Sequence, residues 1–161
     1  MAELLAGRVI EKLSQVAELY HRLLIVVAPA GAGKTRALRK VGEDTGAPMI
    51  NINLELSRRM LDLTERQRAL QLPRLISEIV NTSDSDVSLL DNIEILFDVS
   101  LRQDPLRLLQ SLSRNKTVVA TWNGCFDDEH IIYAAPDHSE YRRYLVKDFL
   151  VVNLEQQNEG N

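Results

Sequence analysis

A glycine-rich segment that ends in lysine and threonine is the part of the sequence best suited to chemistry. Residues 28–35 have the sequence Ala-Pro-Ala-Gly-Ala-Gly-Lys-Thr, which follows an apolar run and precedes a helical pattern. In such a loop, backbone amides surround the β-phosphate of a nucleotide and the positive end of the following helix points at the same place. Lys34 is expected to bridge the β- and γ-phosphates and the Thr35 hydroxyl to ligate Mg²⁺. The segment predicts a phosphate-binding loop for a nucleoside triphosphate, with ATP as the expected nucleotide.

The loop departs from the usual pattern at one position, because Ala28 stands where the first glycine is common. That position shapes the entry of the loop and makes no close phosphate contact, so we expect alanine to be tolerated there. The alternative is a chance glycine-rich turn between a strand and a helix. The residues predicted to bind the nucleotide are Pro29, Ala30, Gly31, Ala32, Gly33, Lys34, Thr35 and Arg36.

A carboxylate at the end of a neighbouring strand is the second requirement of such a site, since it holds Mg²⁺ directly or through water. The run Val87-Ser88-Leu89-Leu90-Asp91 supplies one. Asp91 and Thr35 are therefore the predicted metal ligands. The alternative role for Asp91 is to cap the turn that follows the strand.

Apolar periodicity and turn residues divide the chain into alternating helices and strands. Helices are predicted over 3–21, 35–44, 55–80 with a break near Pro73, and from Asp104-Pro105 to about residue 114; strands are predicted over 23–27, 47–54, 87–90, 117–122 and 149–152. Gly46 is the expected stop of the second helix, and residues 81–86 are an expected turn. This alternation predicts a three-layer α/β/α fold with a mostly parallel five-stranded sheet.

Length and composition fit one domain, made of an N-terminal helix (1–22), a core (23–153) and a flexible tail (154–161). No segment approaches the apolar run that crosses a membrane, and a single cysteine, Cys125, allows no internal disulfide, so a cytoplasmic location is expected. The net charge of -4 does not favour nucleic acid. The arginine pairs at 58–59 and 142–143 allow DNA contact that is at most indirect, or weak and strongly salt-dependent.

The loop, the Asp-ended third strand, a polar fourth strand and arginines before the fifth strand together resemble the AAA+/additional-strand ATPase core over residues 23–153. This resemblance implies an AAA+-like fold without the C-terminal helical lid. It also implies a glutamate directly after Asp91 to activate water, but Asn92 stands there and the next acid is Glu94. Asn92 can orient a water and cannot accept its proton. Slow turnover is therefore expected, with Glu94 either a catalytic base or a surface residue.

The same resemblance implies two further elements of a catalytic site. A γ-phosphate sensor is expected at the end of the fourth strand, where Thr121 and Asn123 are the candidates and a tight turn at 123–124 is the alternative. An arginine that completes the site of a neighbouring subunit is expected at Arg142 or Arg143, with Arg114 as the second candidate. For each arginine, a plain surface position is the alternative. A homo-oligomer with nucleotide at the subunit interfaces follows from this reading.

A narrower resemblance covers nearly the full length. The run Leu89-Leu90-Asp91-Asn92-Ile93-Glu94-Ile95-Leu96-Phe97-Asp98, with Gln103-Asp104-Pro105-Leu106-Arg107-Leu108-Leu109 and Tyr133-Ala134-Ala135-Pro136-Asp137-His138, is similar to the BrxF family. These are small P-loop proteins of type III BREX systems, which protect bacteria against bacteriophage. The resemblance implies an ATP-dependent switch or assembly component that works with other BREX proteins.

Two other functions are consistent with the residues. A non-hydrolysing scaffold that binds nucleotide is favoured by Asn92 in the usual glutamate position. A small-molecule phosphotransferase shares the loop, but no arginine-rich lid is evident between the strands.

Overall fold

The computed structural model of the chain describes residues 2–153, and the tail predicted at 154–161 lies outside them. The helices are α1 Ala2–Val16, α2 Lys34–Thr45, α3 Ile52–Met60, α4 Glu65–Val80 and α5 Pro105–Leu112. The strands are β1 Leu23–Ala28, β2 Met49–Asn51, β3 Val87–Asp91, β4 Thr117–Asn123, β5 Cys125–Asp127, β6 His130–Tyr133, β7 Arg142–Leu145 and β8 Leu150–Asn153. Two short 3₁₀ turns, Glu94–Phe97 and Val99–Leu101, follow β3.

Five strands form one sheet in the order β2-β3-β4-β1-β8, and every neighbouring pair is parallel. All six side chains of β1 are buried, and the first five alternate between two cores. Leu23, Ile25 and Val27 pack with α3, α4 and α5, whereas Leu24 and Val26 pack with α1 and α2. Each such buried side chain contributes roughly 1.5–3 kcal/mol. The predicted three-layer α/β/α architecture with a mostly parallel five-stranded sheet is confirmed.

Two predicted helix boundaries are confirmed by their capping geometry. Gly46 follows α2 in the left-handed conformation, with φ 77°, and its N–H donates to the carbonyl of Gly42. Asp104 caps α5 by accepting from the N–H of Arg107, and Pro105 occupies the first turn, where its missing N–H costs nothing. The end of α2 and the start of α5 are therefore determined by residues within one turn of each boundary.

The predicted break near Pro73 is wrong, because α3 and α4 separate at 61–64 and Pro73 lies inside α4. Thr64 and Gln67 form a reciprocal capping box that starts α4. Pro73 has no N–H to donate to the carbonyl of Ala69, four residues earlier. The side-chain amide of Gln103 donates to that carbonyl at 2.8 Å instead, so the helix continues through the proline.

Two other elements are shorter than predicted. The strand expected over 47–54 covers only Met49–Asn51, because the Asn51 side chain accepts from the N–H of Leu54 and starts α3. The first helix ends at Val16 and not at residue 21. The N–H of Leu19 donates to the carbonyl of Val16, three residues earlier, and closes a turn directly after the helix.

A small antiparallel sheet in the order β5-β6-β7 was not predicted. It occupies the segment between β4 and β8. Arg142 and Arg143, predicted to lie just before the fifth strand, belong to β7. Four aromatic rings join this sheet to the larger one: Phe97, Trp122, Tyr133 and Tyr144.

Within residues 2–153, no helix combines the length and apolar character that a membrane span requires.

Candidate functional site

An open cleft of about 620 Å³ lies at the carboxyl end of the parallel sheet. Among the described residues it is lined by 30–36, Arg39, Asp91, Asn92, Glu94, Asn123 and Ala2. Because β1, β3 and β4 run parallel, the residues that end them meet at this edge. The cleft thus combines the glycine-rich loop with Asp91, which ends β3, and Glu94, which follows it.

Two glycines shape the loop. Gly31 and Gly33 have φ values of 80° and 93°, which other residues rarely adopt. An added Cβ at either would meet nothing within 4 Å, so the backbone conformation and not space requires glycine there. Gly33 caps α2 without a side chain, which leaves the first N–H groups of the helix directed at the cleft. Ala28 ends β1 as ordinary strand, so its position needs no glycine.

Lys34, the first residue of α2, is almost completely buried. Its Nζ donates to the carbonyl oxygens of Ala28 at 2.8 Å and Pro29 at 2.7 Å. Burial lowers the pKa of Lys34 from its ordinary value, whereas the negative charges of Glu94 and Asp91 raise it. A buried ammonium group whose acceptors among residues 2–153 are two neutral carbonyls gains from an anion placed beside it.

Asp91 is buried, and both of its carboxylate oxygens accept a hydroxyl. Thr35 Oγ1 donates to Oδ2 at 2.7 Å, and Thr121 Oγ1 donates to Oδ1 at 2.7 Å. The metal-ligand pair predicted from sequence is therefore brought into direct contact. Among residues 2–153, no group of three His, Cys, Asp or Glu is placed to hold a metal ion unaided. Mg²⁺ suits one carboxylate and a hydroxyl, because it takes its remaining ligands from phosphates and water.

Glu94 and Asn123 form the second polar pair of the cleft. The side-chain amide of Asn123 donates to Glu94 Oε1. Asn92 also lines the cleft, in a left-handed conformation with φ 54°, and its carbonyl accepts from the N–H of Asn53. The structure thus places Glu94 at the cleft wall and not on a remote surface.

The arginines predicted to complete the site of a neighbouring subunit lie outside the cleft of their own chain. Arg142 donates to the carbonyl of Gln103 at 3.1 Å, and Arg143 lies 4.0 Å from Asp128. Neither is among the described residues that line the cleft. Arg114 lies over the ring of Tyr20, near the amino end of β4 and thus at the end of the sheet opposite the loop. None of these side chains therefore serves the cleft of its own chain.

Two lining residues were not predicted. Arg39 reaches the cleft from α2 one turn after Arg36, and their spacing of three residues was the available signal. Ala2 lines the cleft from the start of α1, and no feature of the sequence indicated it. Pro29, which was predicted to bind nucleotide, contributes a carbonyl acceptor for Lys34.

No family model matches the chain, and no curated protein matches it. Two solved structures are similar. The crystal structure of a DNA replication initiation factor shares 16% identity over 74% of this chain and 37% of its own, with a TM-score of 0.46. The structure of C. elegans PCH-2 shares 14% identity over 94% of this chain and 40% of its own, with a TM-score of 0.39. The chain spans less than half the length of either.

Proposed function

We propose that the protein binds ATP with Mg²⁺ in this cleft and hydrolyses it slowly. One observation carries the proposal: the Thr35 hydroxyl lies 2.7 Å from the Asp91 carboxylate, beside a loop whose glycines and lysine have the conformation and charge that phosphate requires. A hydroxyl and a carboxylate in contact at the start of a helix are suited to a magnesium–phosphate complex. The strand order is consistent with this proposal. β4 lies between β1, which precedes the loop, and β3, which ends in Asp91, as expected from the resemblance to the additional-strand ATPase core.

Each residue of the cleft then has a distinct task. Bound Mg-ATP supplies the phosphoanhydride bond and the metal charge that offsets the charge of the phosphates. The amides of the loop and the start of α2 bind the β-phosphate, and Lys34 adds positive charge at the β- and γ-phosphates. Thr35 and Asp91 hold the metal. Glu94 orients the attacking water and accepts its proton, while Asn123 holds Glu94 at the cleft wall.

Slow turnover follows from the acids available. Asn92, directly after Asp91, cannot accept a proton. Of the two acids among the described lining residues, Asp91 is engaged by two hydroxyls, which leaves Glu94 for proton transfer. The hydrogen bond from Asn123 occupies Oε1 of Glu94, so Oε2 is the oxygen proposed to accept the proton while that bond persists.

A second candidate, a nucleotide-binding scaffold without hydrolysis, is favoured by Asn92, which stands directly after Asp91 and cannot accept a proton. If Glu94, held at the cleft wall, does not reach an attacking water, no base is available, and nucleotide would serve assembly alone. Phosphate release distinguishes this candidate from the first.

We further propose that the protein self-associates with nucleotide at the subunit interfaces and that Arg143 serves a neighbouring site. Its side chain is 45% exposed, and its partner Asp128 is 85% exposed, so their 4.0 Å contact contributes little and leaves the guanidinium able to engage phosphate. Arg142 is held more firmly by the Gln103 carbonyl. Arg143→Ala is expected to reduce turnover and not ATP affinity, whereas equal turnover would reject this role.

The role in BREX defence rests on the resemblance of three segments to the BrxF family. We propose that the protein acts there as a nucleotide-dependent switch or assembly component with larger BREX proteins. Loss of phage protection in a host that carries Lys34→Ala, with protection retained in Lys40→Ala, would support this role. Full protection with Lys34→Ala would reject a nucleotide-dependent one.

The direct test is phosphate release from Mg-ATP over a range of protein concentrations. Turnover that rises more than linearly with concentration, and vanishes in Lys34→Ala and Asp91→Ala, is expected of an ATPase completed by a neighbouring subunit. Tight ATP binding without turnover at any concentration would favour the scaffold.

A further inference from the structure

Strand β4 presents two polar side chains on one face, and each donates to a different acid. Thr121 and Asn123 are two residues apart, so both point to the same side of the sheet. Thr121 donates to Asp91, and Asn123 donates to Glu94. A single strand end therefore holds both carboxylates of the cleft.

The two donors differ in what they can reach. Asn123 lines the cleft, whereas Thr121 is 2% exposed and is not among the described lining residues. Thr121 lies behind Asp91, with its hydroxyl on Oδ1, while Thr35 on the cleft side occupies Oδ2. A buried hydroxyl that faces a carboxylate is poorly placed to sense a γ-phosphate.

We propose that Thr121 is a positioning residue for Mg²⁺, acting through Asp91 and without contact to the nucleotide. This inference rests on the proposed function of the cleft. Groups that hydrogen-bond a metal-ligating carboxylate fix its orientation, and their loss weakens metal binding roughly 10- to 100-fold. The hydroxyl of Thr121 fixes the plane of the Asp91 carboxylate, so that Oδ2 stays directed at Thr35 and the metal.

Thr121 and Asn123 thus divide two tasks that a single sensor residue would combine. Thr121 affects the metal, and Asn123 affects the proposed base. Removing the Thr121 hydroxyl should therefore change the Mg²⁺ requirement of nucleotide binding and leave metal-free binding intact.

The experiment measures binding of a fluorescent ATP analogue to the full chain, first with EDTA and then across a Mg²⁺ titration. Thr121→Val keeps the shape of the side chain and removes the donor, and Thr121→Ser keeps the donor. Thr117→Val is the matched control, because Thr117 is buried on the same strand at its other end. Thr121→Val is expected to raise the half-saturating Mg²⁺ concentration roughly 10- to 100-fold. The nucleotide affinity of Thr121→Val in EDTA should match that of the wild type. Thr121→Ser and Thr117→Val should match the wild type both in this affinity and in the half-saturating Mg²⁺ concentration.

Three results would overturn the inference: an unchanged Mg²⁺ requirement in Thr121→Val, a Thr121→Ser variant as impaired as Thr121→Val, or equal loss of binding in EDTA. Thermal unfolding checks that each variant is folded, and Thr121→Ala replaces Thr121→Val if the latter is not. A wild-type protein that binds no nucleotide would instead reject the proposed function, and the inference with it.

Discussion

The hydroxyl of Thr35, on the first turn of α2, donates to Oδ2 of Asp91 at 2.7 Å although 56 residues separate them. The contact joins the phosphate loop to the end of β3 across the sheet edge. It is the feature of the cleft that best matches a magnesium site, because one residue offers a hydroxyl and the other a carboxylate.

Substitution of Thr35 tests this contact. Thr35→Ala removes both the proposed metal ligand and the donor to Asp91, so it should weaken Mg²⁺-dependent nucleotide binding by at least about tenfold. Thr35→Ser keeps the hydroxyl and should bind like the wild type. Titration of Mg²⁺ at fixed nucleotide distinguishes them, and equal impairment of the two variants would contradict a role for the hydroxyl.

Glu94→Gln tests the proposed base. Glutamine keeps the size of the side chain and an oxygen that accepts from Asn123, but it cannot take a proton. Turnover should fall by about 10²- to 10⁴-fold while ATP affinity stays near that of the wild type. Glu43→Gln on exposed α2 surface is the control. Turnover as fast in Glu94→Gln as in the control would remove Glu94 from the mechanism.

The proline inside α4 gives a prediction about stability. Gln103→Ala deprives the Ala69 carbonyl of its donor, and should destabilise the fold by about 1–2 kcal/mol. Pro73→Ala restores a backbone N–H that can donate to the same carbonyl. The Ala69 carbonyl then has a backbone donor, so Gln103→Ala should lower the free energy of unfolding less in the Pro73→Ala background than in the wild type. Urea unfolding of the two single variants and of the double variant measures this coupling, and purely additive effects would contradict it.

Tyr133 gives a prediction about alkaline pH. Burial, with smaller effects of Glu140 and Glu94, raises the pKa of Tyr133 to about 12. The pKa of an unfolded tyrosine is about 10. Below the unfolded pKa both states keep the proton and stability does not depend on this group. Between the two values only the unfolded state loses it, so stability falls as pH rises from about 10 to about 12.

Urea unfolding across that range should show the decline, and Tyr133→Phe should make it shallower. Tyr144 contributes in the same direction, because burial and its hydrogen bond to Asp104 raise its pKa as well. Phenolate absorbance of the folded protein should lack one late-titrating tyrosine in Tyr133→Phe. An identical titration in both proteins would contradict the assignment.

The sequence was most informative where residues close together in the chain determine the local structure. The left-handed Gly46, the Asp104-Pro105 helix start and the buried run before Asp91 each carry their signal within a few residues. Burial of β1 on both faces was evident from its unbroken apolar run, which is typical of a central parallel strand.

What the sequence could not predict depends on distant partners. Pro73 indicated a break because Gln103, 34 residues from the freed carbonyl, was not known to replace the missing donor. The strands β5, β6 and β7 have only three or four residues each, too few for a clear alternation. The contact of Glu94 with Asn123 required the relative placement of β3 and β4, and the sequence left that open.

The central claim is that the cleft binds nucleotide with Mg²⁺, and equilibrium binding of a fluorescent ATP analogue tests it most directly. We predict saturable binding that tightens with Mg²⁺, is lost in Lys34→Ala, and is kept in Lys40→Ala, whose exposed lysine on the same helix pairs with Asp44. Binding that is equal in Lys34→Ala and Lys40→Ala, or absent from the wild type at millimolar nucleotide, would contradict the account.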